Sequence, residues 1–196
     1  EYLNELHQVW MLSAWQICVN RYPRLCEEIV IGTAPYDFRG FIGCRNFVMR
    51  TKDGEVLAYA NSIWTLMDIR KMLPARPSER MLEGYVLEEK YPMEYAPRKI
   101  AMPKEGKTLE VFAVKQHHLD TNNHVNNGQY VRMAMDCIPK EFRIKQLRVE
   151  YKNQAMLEDI VCPVVAVSED SAMYTVSLND EEGKPYSIVE MTGGSL

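Results

Sequence analysis

Two acidic–aliphatic strings, Glu27-Glu28-Ile29-Val30 and Glu158-Asp159-Ile160-Val161, repeat at an offset of 131 residues (158 − 27). Two acidic-Gly turns, Asp53-Gly54 and Glu182-Gly183, repeat at 129 (182 − 53). Separate features sharing nearly one offset point to an internal duplication, which restricts the fold to two similar units. Residues 9–20 are rich in aromatic and β-branched residues and read as a strand, followed by strands centred on Ile29–Ile31 and over 41–51. Lys52-Asp53-Gly54 then turns the chain into a long apolar partner from Glu55 to Asp68. The second copy reads as a helix from near Asn126 through Arg132–Cys137, stopped by Pro139. Strands follow at Leu147–Tyr151, Ile160–Val167, Tyr174–Leu178 and Tyr186–Met191. Helix then antiparallel strands is an α+β unit with its helix against one sheet face.

The expected layout is a first repeat over 1–75, a proline-rich charged linker over 76–108 and a second repeat over 109–196. Leu3 and Leu6 in residues 1–8 have helical spacing, as the last turns of a helix would. The offset places the opening strand and most of that helix ahead of residue 8, so the first repeat is expected to lack them. The five cysteines (Cys18, Cys26, Cys44, Cys137, Cys162) are odd in number and form no Cys-x-x-Cys pair. They are expected to be free, mostly buried thiols in a reducing compartment, with no metal site. A net charge of −4 leaves no broad nucleic-acid footprint. No apolar run reaches the roughly 20 residues of a membrane helix, and no signal-peptide pattern is visible. A soluble intracellular protein is the expectation.

The most chemical stretch is His117–Tyr130, HHLDTNNHVNNGQY. Asp120, Asn122 and His124 alternate, which in an extended segment turns all three side chains one way. Asn126-Asn127-Gly128 then opens the helix, whose free N–H groups favour developing negative charge. A carboxylate, an amide, an imidazole and an oxyanion-stabilising helix end are the parts of acyl transfer to water. Asp and Asn are also the commonest cap and turn residues, so the same string reads as a polar turn before a helix.

The string LDTNNHVNNGQY resembles the signature of the acyl-acyl-carrier-protein thioesterases, D-x-N-x-H-V-N-N followed by an aromatic. Asp120, Asn122, His124, Val125, Asn126, Asn127 and Tyr130 match it. The resemblance implies two tandem hotdog folds, each a curled antiparallel sheet around a long helix. It implies hydrolysis of a fatty acyl thioester on the phosphopantetheine of an acyl carrier protein, with no cofactor. Asp120, Asn122 and His124 are then the catalytic candidates. The family's Tyr-x-x-Glu-Cys departs here to Tyr151-Lys152-Asn153-Gln154-Ala155, so Gln154 can hold a water but cannot take a proton. Asp120 is expected to activate water or attack the thioester carbon. Backbone N–H groups near Val125–Asn127 would face the oxyanion.

The first repeat carries no such motif and is implied to form the acyl pocket, with Met11, Trp15, Trp64, Leu66 and Met67 as candidate lining. For an acidic carrier, candidate docks are Arg143, Lys145, Arg148 and Lys152, or Arg70, Lys71, Arg76 and Arg80. The alternatives are an acyl-coenzyme A thioesterase, and a non-catalytic acyl-binding hotdog protein, to which Gln154 lends weight. The expected setting is a bacterial cytoplasm, with a plastid as second choice. A monomer and a homodimer both remain open.

Overall fold

A computed structural model describes residues 6–102 and 105–194. The chain divides into two compact units, Glu1–Arg98 and Lys99–Leu196. In the first, runs rich in β-branched and aromatic residues form β1 (Gln8–Val19), β2 (Ile29–Arg39), β3 (Ile42–Thr51) and β4 (Val56–Asp68). These pair antiparallel in the order β2-β3-β4-β1, and the short β5 (Leu73–Pro74) adds to β4. Helix α1 (Glu79–Glu83) follows, capped by the Ser78 hydroxyl, which accepts the Met81 N–H. The helix expected over residues 1–8 lies mostly outside the described residues. Leu6 and His7 form a turn, and Gln8 already belongs to β1.

In the second unit, β6 (Lys107–Thr108), β7 (Phe112–Ala113) and a 3-10 turn at Gln116–His118 lead to α2 (Asn127–Met135). Then come β8 (Arg143–Tyr151), β9 (Ile160–Val167), β10 (Met173–Asn179) and β11 (Pro185–Gly194), paired antiparallel in the order β8-β11-β10-β9. Both β6 and β7 pair with β9. The order of the four long strands therefore recurs in the two units. So do three left-handed backbone positions between them: Cys26 and Glu158 (φ 63° and 70°), Gly40 and Ser171 (62° and 56°), Gly54 and Gly183 (94° and 80°). The repeated acidic-Gly pairs thus mark hairpin turns that need a positive φ, which glycine adopts without steric cost.

Each sheet has one apolar and one partly polar face. In the second unit, Val176 on β10 and Val189 and Met191 on β11, the strands that α2 packs against, are buried, as are Leu147 and Val149 on β8. Helix residues Tyr130, Met133 and Ala134 are buried there too. On the other face, the buried Glu150 carboxylate accepts the Ile100 N–H at 3.0 Å and pairs with Lys152 at 3.1 Å. In the first unit, buried Gln16 and Asn46 hold the segment that follows α1. Gln16 donates to the Glu94 carbonyl and accepts the Ala96 N–H, both at 2.9 Å. Asn46 Oδ1 accepts the Tyr91 N–H at 3.0 Å and the Tyr95 hydroxyl at 3.1 Å. The segment expected as a bare linker is thus docked by side chains that could not be buried unpaired. None of the five cysteines is in a disulfide, and Cys26 is exposed while the other four are half-buried rather than buried.

Candidate active site

Asp120, Asn122 and His124 do not alternate along an extended segment as the sequence suggested. They occupy a tight loop between Leu119 and Val125, which bridge antiparallel. Within it the Asp120 N–H donates to the His124 carbonyl at 2.9 Å, and Asn123 takes a left-handed φ of 59°. Asp120 Oδ1 accepts the N–H of Asn122 at 2.8 Å and that of His124 at 3.3 Å. A short Asp-initiated turn satisfies these amides more compactly than an extended strand with no partner on either side. One carboxylate oxygen therefore organises the loop. Oδ2 has no protein hydrogen bond among the described residues, and neither do the side-chain carboxamide of Asn122 and the His124 ring.

The helix end behaves as expected, but most of its amides are committed. Asn126 caps α2, its Oδ1 accepting the Gly128 N–H at 2.9 Å. The Val125 N–H donates to the Ala155 carbonyl at 3.1 Å, and the Asn126 N–H to the His118 carbonyl at 3.0 Å. The oxyanion reading over Val125–Asn127 is thereby corrected. Two of the three amides are spent on backbone carbonyls, leaving the N–H of Asn127 at the first helical position. The Val125 side chain is core, 4% exposed, whereas Asn126 and Asn127 are exposed.

The same Val125–Ala155 bond brings the Gln154 segment beside the motif. Tyr130 holds it from the other side, its buried hydroxyl accepting the Ala155 N–H at 2.8 Å. The rings of Tyr130 and Tyr151 meet edge to face at 6.1 Å, and the Tyr151 hydroxyl donates to the Asn127 carbonyl at 3.0 Å. Burial raises the pKa of both phenols above the usual range, so they stay protonated donors. Gln154 itself is exposed. The positioning role of Tyr130, Tyr151 and Ala155 was missed from the sequence; the aromatic closing the motif was its one available signal.

In the first unit, Trp10, Pro35, Phe38, Gly43, Cys44, Arg45, Trp64 and Tyr85 line a cavity of about 160 Å³. Of the candidate pocket residues only Trp64 is among them. Met11 pairs with Thr65 and Met67 with Val9, on the sheet face opposite Trp64, because facing residues in an antiparallel pair share a face. Trp15 packs on Phe47 at 4.8 Å, and Leu66 is fully buried. A bulge between Leu12 and Ala14 keeps Trp10, Leu12 and Trp15 on one face, which simple alternation from Met11 does not foresee. Of the candidate docking cations, Arg148 pairs with Glu190 at 2.7 Å and Lys152 with Glu150, while Arg143 and Lys145 are exposed. Among the described residues no His, Cys, Asp and Glu cluster could hold a metal ion. No helix among them is long and apolar enough to cross a membrane.

The chain thus presents antiparallel strands with few helices, and an Asp/Asn/His loop pinned ahead of a capped helix. Residues 1–85 match the acyl-ACP thioesterase N-terminal domain and 101–191 the acyl-ACP thioesterase C-terminal domain; the chain belongs to that family. It is similar to a chloroplastic acyl-[acyl-carrier-protein] hydrolase of Cuphea viscosissima, 25% identical over 178 residues, which are 85% of this chain and 43% of that one. A chloroplastic oleoyl-acyl carrier protein thioesterase of Coriandrum sativum is 24% identical, covering 87% of this chain and 51% of that one. The chain thus spans about half or less of the length of these curated relatives. The crystal structure of an acyl-ACP thioesterase from Bacteroides thetaiotaomicron shares the fold with a TM-score of 0.86 at 22% identity, over 97% of this chain and 78% of that one. The 12:0-ACP thioesterase from Umbellularia californica does so with a TM-score of 0.83 at 18% identity, over 100% and 78%.

Proposed function

We propose that this chain hydrolyses the thioester joining a fatty acyl chain to the phosphopantetheine of an acyl carrier protein, releasing the free fatty acid. The observation that carries the reading is the joining of two loops. Asp120 Oδ1 organises the motif while the Val125–Ala155 bond seats the Gln154 segment against it. Water held by Gln154 would meet Asp120 Oδ2, which takes its proton as the oxygen adds to the thioester carbon. The Asn127 N–H would meet the oxyanion, and Asn122 and His124 would orient the substrate. Collapse of the tetrahedral intermediate expels the thiolate, which takes up a proton to leave as the pantetheine thiol.

In this reading the fold is two tandem hotdog repeats over 1–75 and 109–196, joined by 76–108. The recurring strand order and left-handed positions support it. The aromatic cavity of the first repeat would take the acyl chain. The setting is wherever acyl chains grow on carrier protein, a bacterial cytoplasm or, as for the chloroplastic relatives, a plastid.

The test is thiol release from acyl-carrier-protein and acyl-coenzyme A thioesters by wild type and Asp120→Asn. Carrier-linked turnover that disappears in the variant is expected. Retained acyl binding with no hydrolysis of any ester would instead favour a binding protein, the reading that Gln154 supports.

A further inference from the structure

The cavity of the first unit has aromatic walls and a single cation. Trp10 and Phe38 lie over Gly43, where a Cβ would stand 3.1 Å from both rings, and Trp64 and Tyr85 continue the apolar lining. At about 160 Å³ the space suits one end of a chain better than a whole ligand. The half-buried Arg45 also lines it. Gly43 pairs with Trp64 and Arg45 with Ser62, so the Arg45 side chain rises from the sheet face that carries Trp64. Its guanidinium donates to the Thr33 hydroxyl at 3.0 Å, and Thr33 passes its own proton to the Asn46 carbonyl at 3.1 Å.

No carboxylate of this unit answers that charge. Among the described residues its ion pairs join Arg21 to Glu27 and Glu55, Arg39 to Asp37, Lys52 to Glu28 and Lys71 to Asp68, which leaves Arg45 out. The acceptors around the walls are spent. Ser62 Oγ accepts the Trp64 indole N–H at 2.8 Å and donates to the Arg45 carbonyl at 3.0 Å. The Pro35 carbonyl accepts the Glu88 N–H at 3.0 Å. The Trp10 indole N–H is buried with no acceptor among the described residues. A guanidinium without a counter-charge and an indole without an acceptor, both on residues of one apolar cavity, suit an anionic oxygen carried by an apolar body. A carboxylate at the end of an aliphatic chain has both parts: its two oxygens match the guanidinium fork, and the chain behind them takes the rings.

We propose that this cavity binds the carboxylate end of an aliphatic chain, with Arg45 as the anion partner. Two ligands carry that chemistry: a free fatty acid, and a thioester whose acyl chain ends in a second carboxylate. The second rests on the thioesterase reading and names a substrate class for it. Trp10 and Trp64, two of the three tryptophans, line the cavity, so tryptophan fluorescence reports its occupation. For wild type we expect octanoate to bind about ten- to a hundredfold more tightly than octanol, the effect of one or two charge-assisted hydrogen bonds. Arg45→Met keeps an apolar stem, so the octanoate advantage disappears while octanol affinity is unchanged. An advantage missing in wild type, one that persists in the variant, or an octanol affinity lost along with it overturns the site. Pantetheine thioesters of ω-carboxyacyl and plain acyl chains of equal length then separate the two ligands. A lower KM for the ω-carboxy esters in wild type but not in Arg45→Met identifies the chain end. Equal KM values with the octanoate advantage intact identify the free acid. Hydrolysis of neither series, with that advantage intact, overturns the thioesterase reading and leaves the carboxylate site standing.

Discussion

The two units share a strand order but differ in what their sheets carry. In the second, α2 packs against β10 and β11, and Met191 and Val189 are fully buried. In the first, Trp10, Phe38, Trp64 and Tyr85 surround a cavity, with Trp10 and Phe38 5.7 Å apart and Phe38 and Tyr85 5.1 Å apart. The Trp10 indole N–H is buried there without a partner among the described residues. Large rigid rings on a sheet cannot close on one another as completely as interleaved aliphatics do, so they leave space. The same strand order thus carries polar groups around a helix end in the second unit and an aromatic-lined cavity in the first.

The sharpest way to break this comparison is to set Asp120→Asn against Phe38→Ala in thioester hydrolysis. Asp120→Asn keeps an oxygen for the Asn122 and His124 amides but no base, so turnover should fall by about 10²- to 10⁴-fold with the fold intact. Phe38→Ala should leave turnover largely in place and move the preferred acyl chain toward longer lengths. A chain preference unmoved by Phe38→Ala would sink the division of labour. Stability separates the units next. Met191→Ala should cost about 2–5 kcal/mol in urea melts, and Phe38→Ala no more than about 3 kcal/mol, since the cavity already forfeits some contacts. Tyr130→Phe strips the buried Ala155 N–H of its acceptor, for about 1–3 kcal/mol. It should also raise amide exchange across residues 153–156 while leaving the first unit unchanged.

The smallest effect concerns the repeated acidic string. Glu27 is bound by Arg21 at 2.7 Å and by the Arg24 N–H, which together hold its carboxyl at about 2, below the ordinary 4.5. Its folded value is depressed, so its contribution is present above 4.5 and is lost as pH falls toward 2. Acid melting of wild type should therefore steepen across that window, and Glu27→Gln should flatten it. In the second unit Asp159 follows the left-handed Glu158 as Glu27 follows the left-handed Cys26, and its Oδ2 accepts the Met156 N–H at 2.8 Å as Glu27 accepts that of Arg24. Asp159→Asn, which removes no ion pair among the described residues, should change acid melting less than Glu27→Gln does.

Much of the frame was legible because it is local. Aromatic and β-branched runs located the long strands, Asp53-Gly54 and Glu182-Gly183 their hairpins, and Asn126 the start of α2. The expected polar loop was also in place, since Asp120 and its neighbours hydrogen-bond within five residues. Its conformation was not legible, because a tight turn and an extended segment can both be written with alternating polar residues. The pocket lining was misjudged at Met11 and Met67, where one residue of register decides which face a side chain takes.

By itself, then, the sequence determined the strand-rich units and the presence of an Asp/Asn/His motif ahead of a helix, since each depends on neighbours a few residues apart. Only the tertiary structure decided which amides remained for an oxyanion, that Tyr130 and Ala155 clamp the Gln154 segment, and that Gln16 and Asn46 bury themselves under the segment following α1. Apart from the Asn126–His118 bond, those outcomes hang on partners 25 to 80 residues away. A buried polar group must find its partner wherever the fold places one, and no local pattern says where that is.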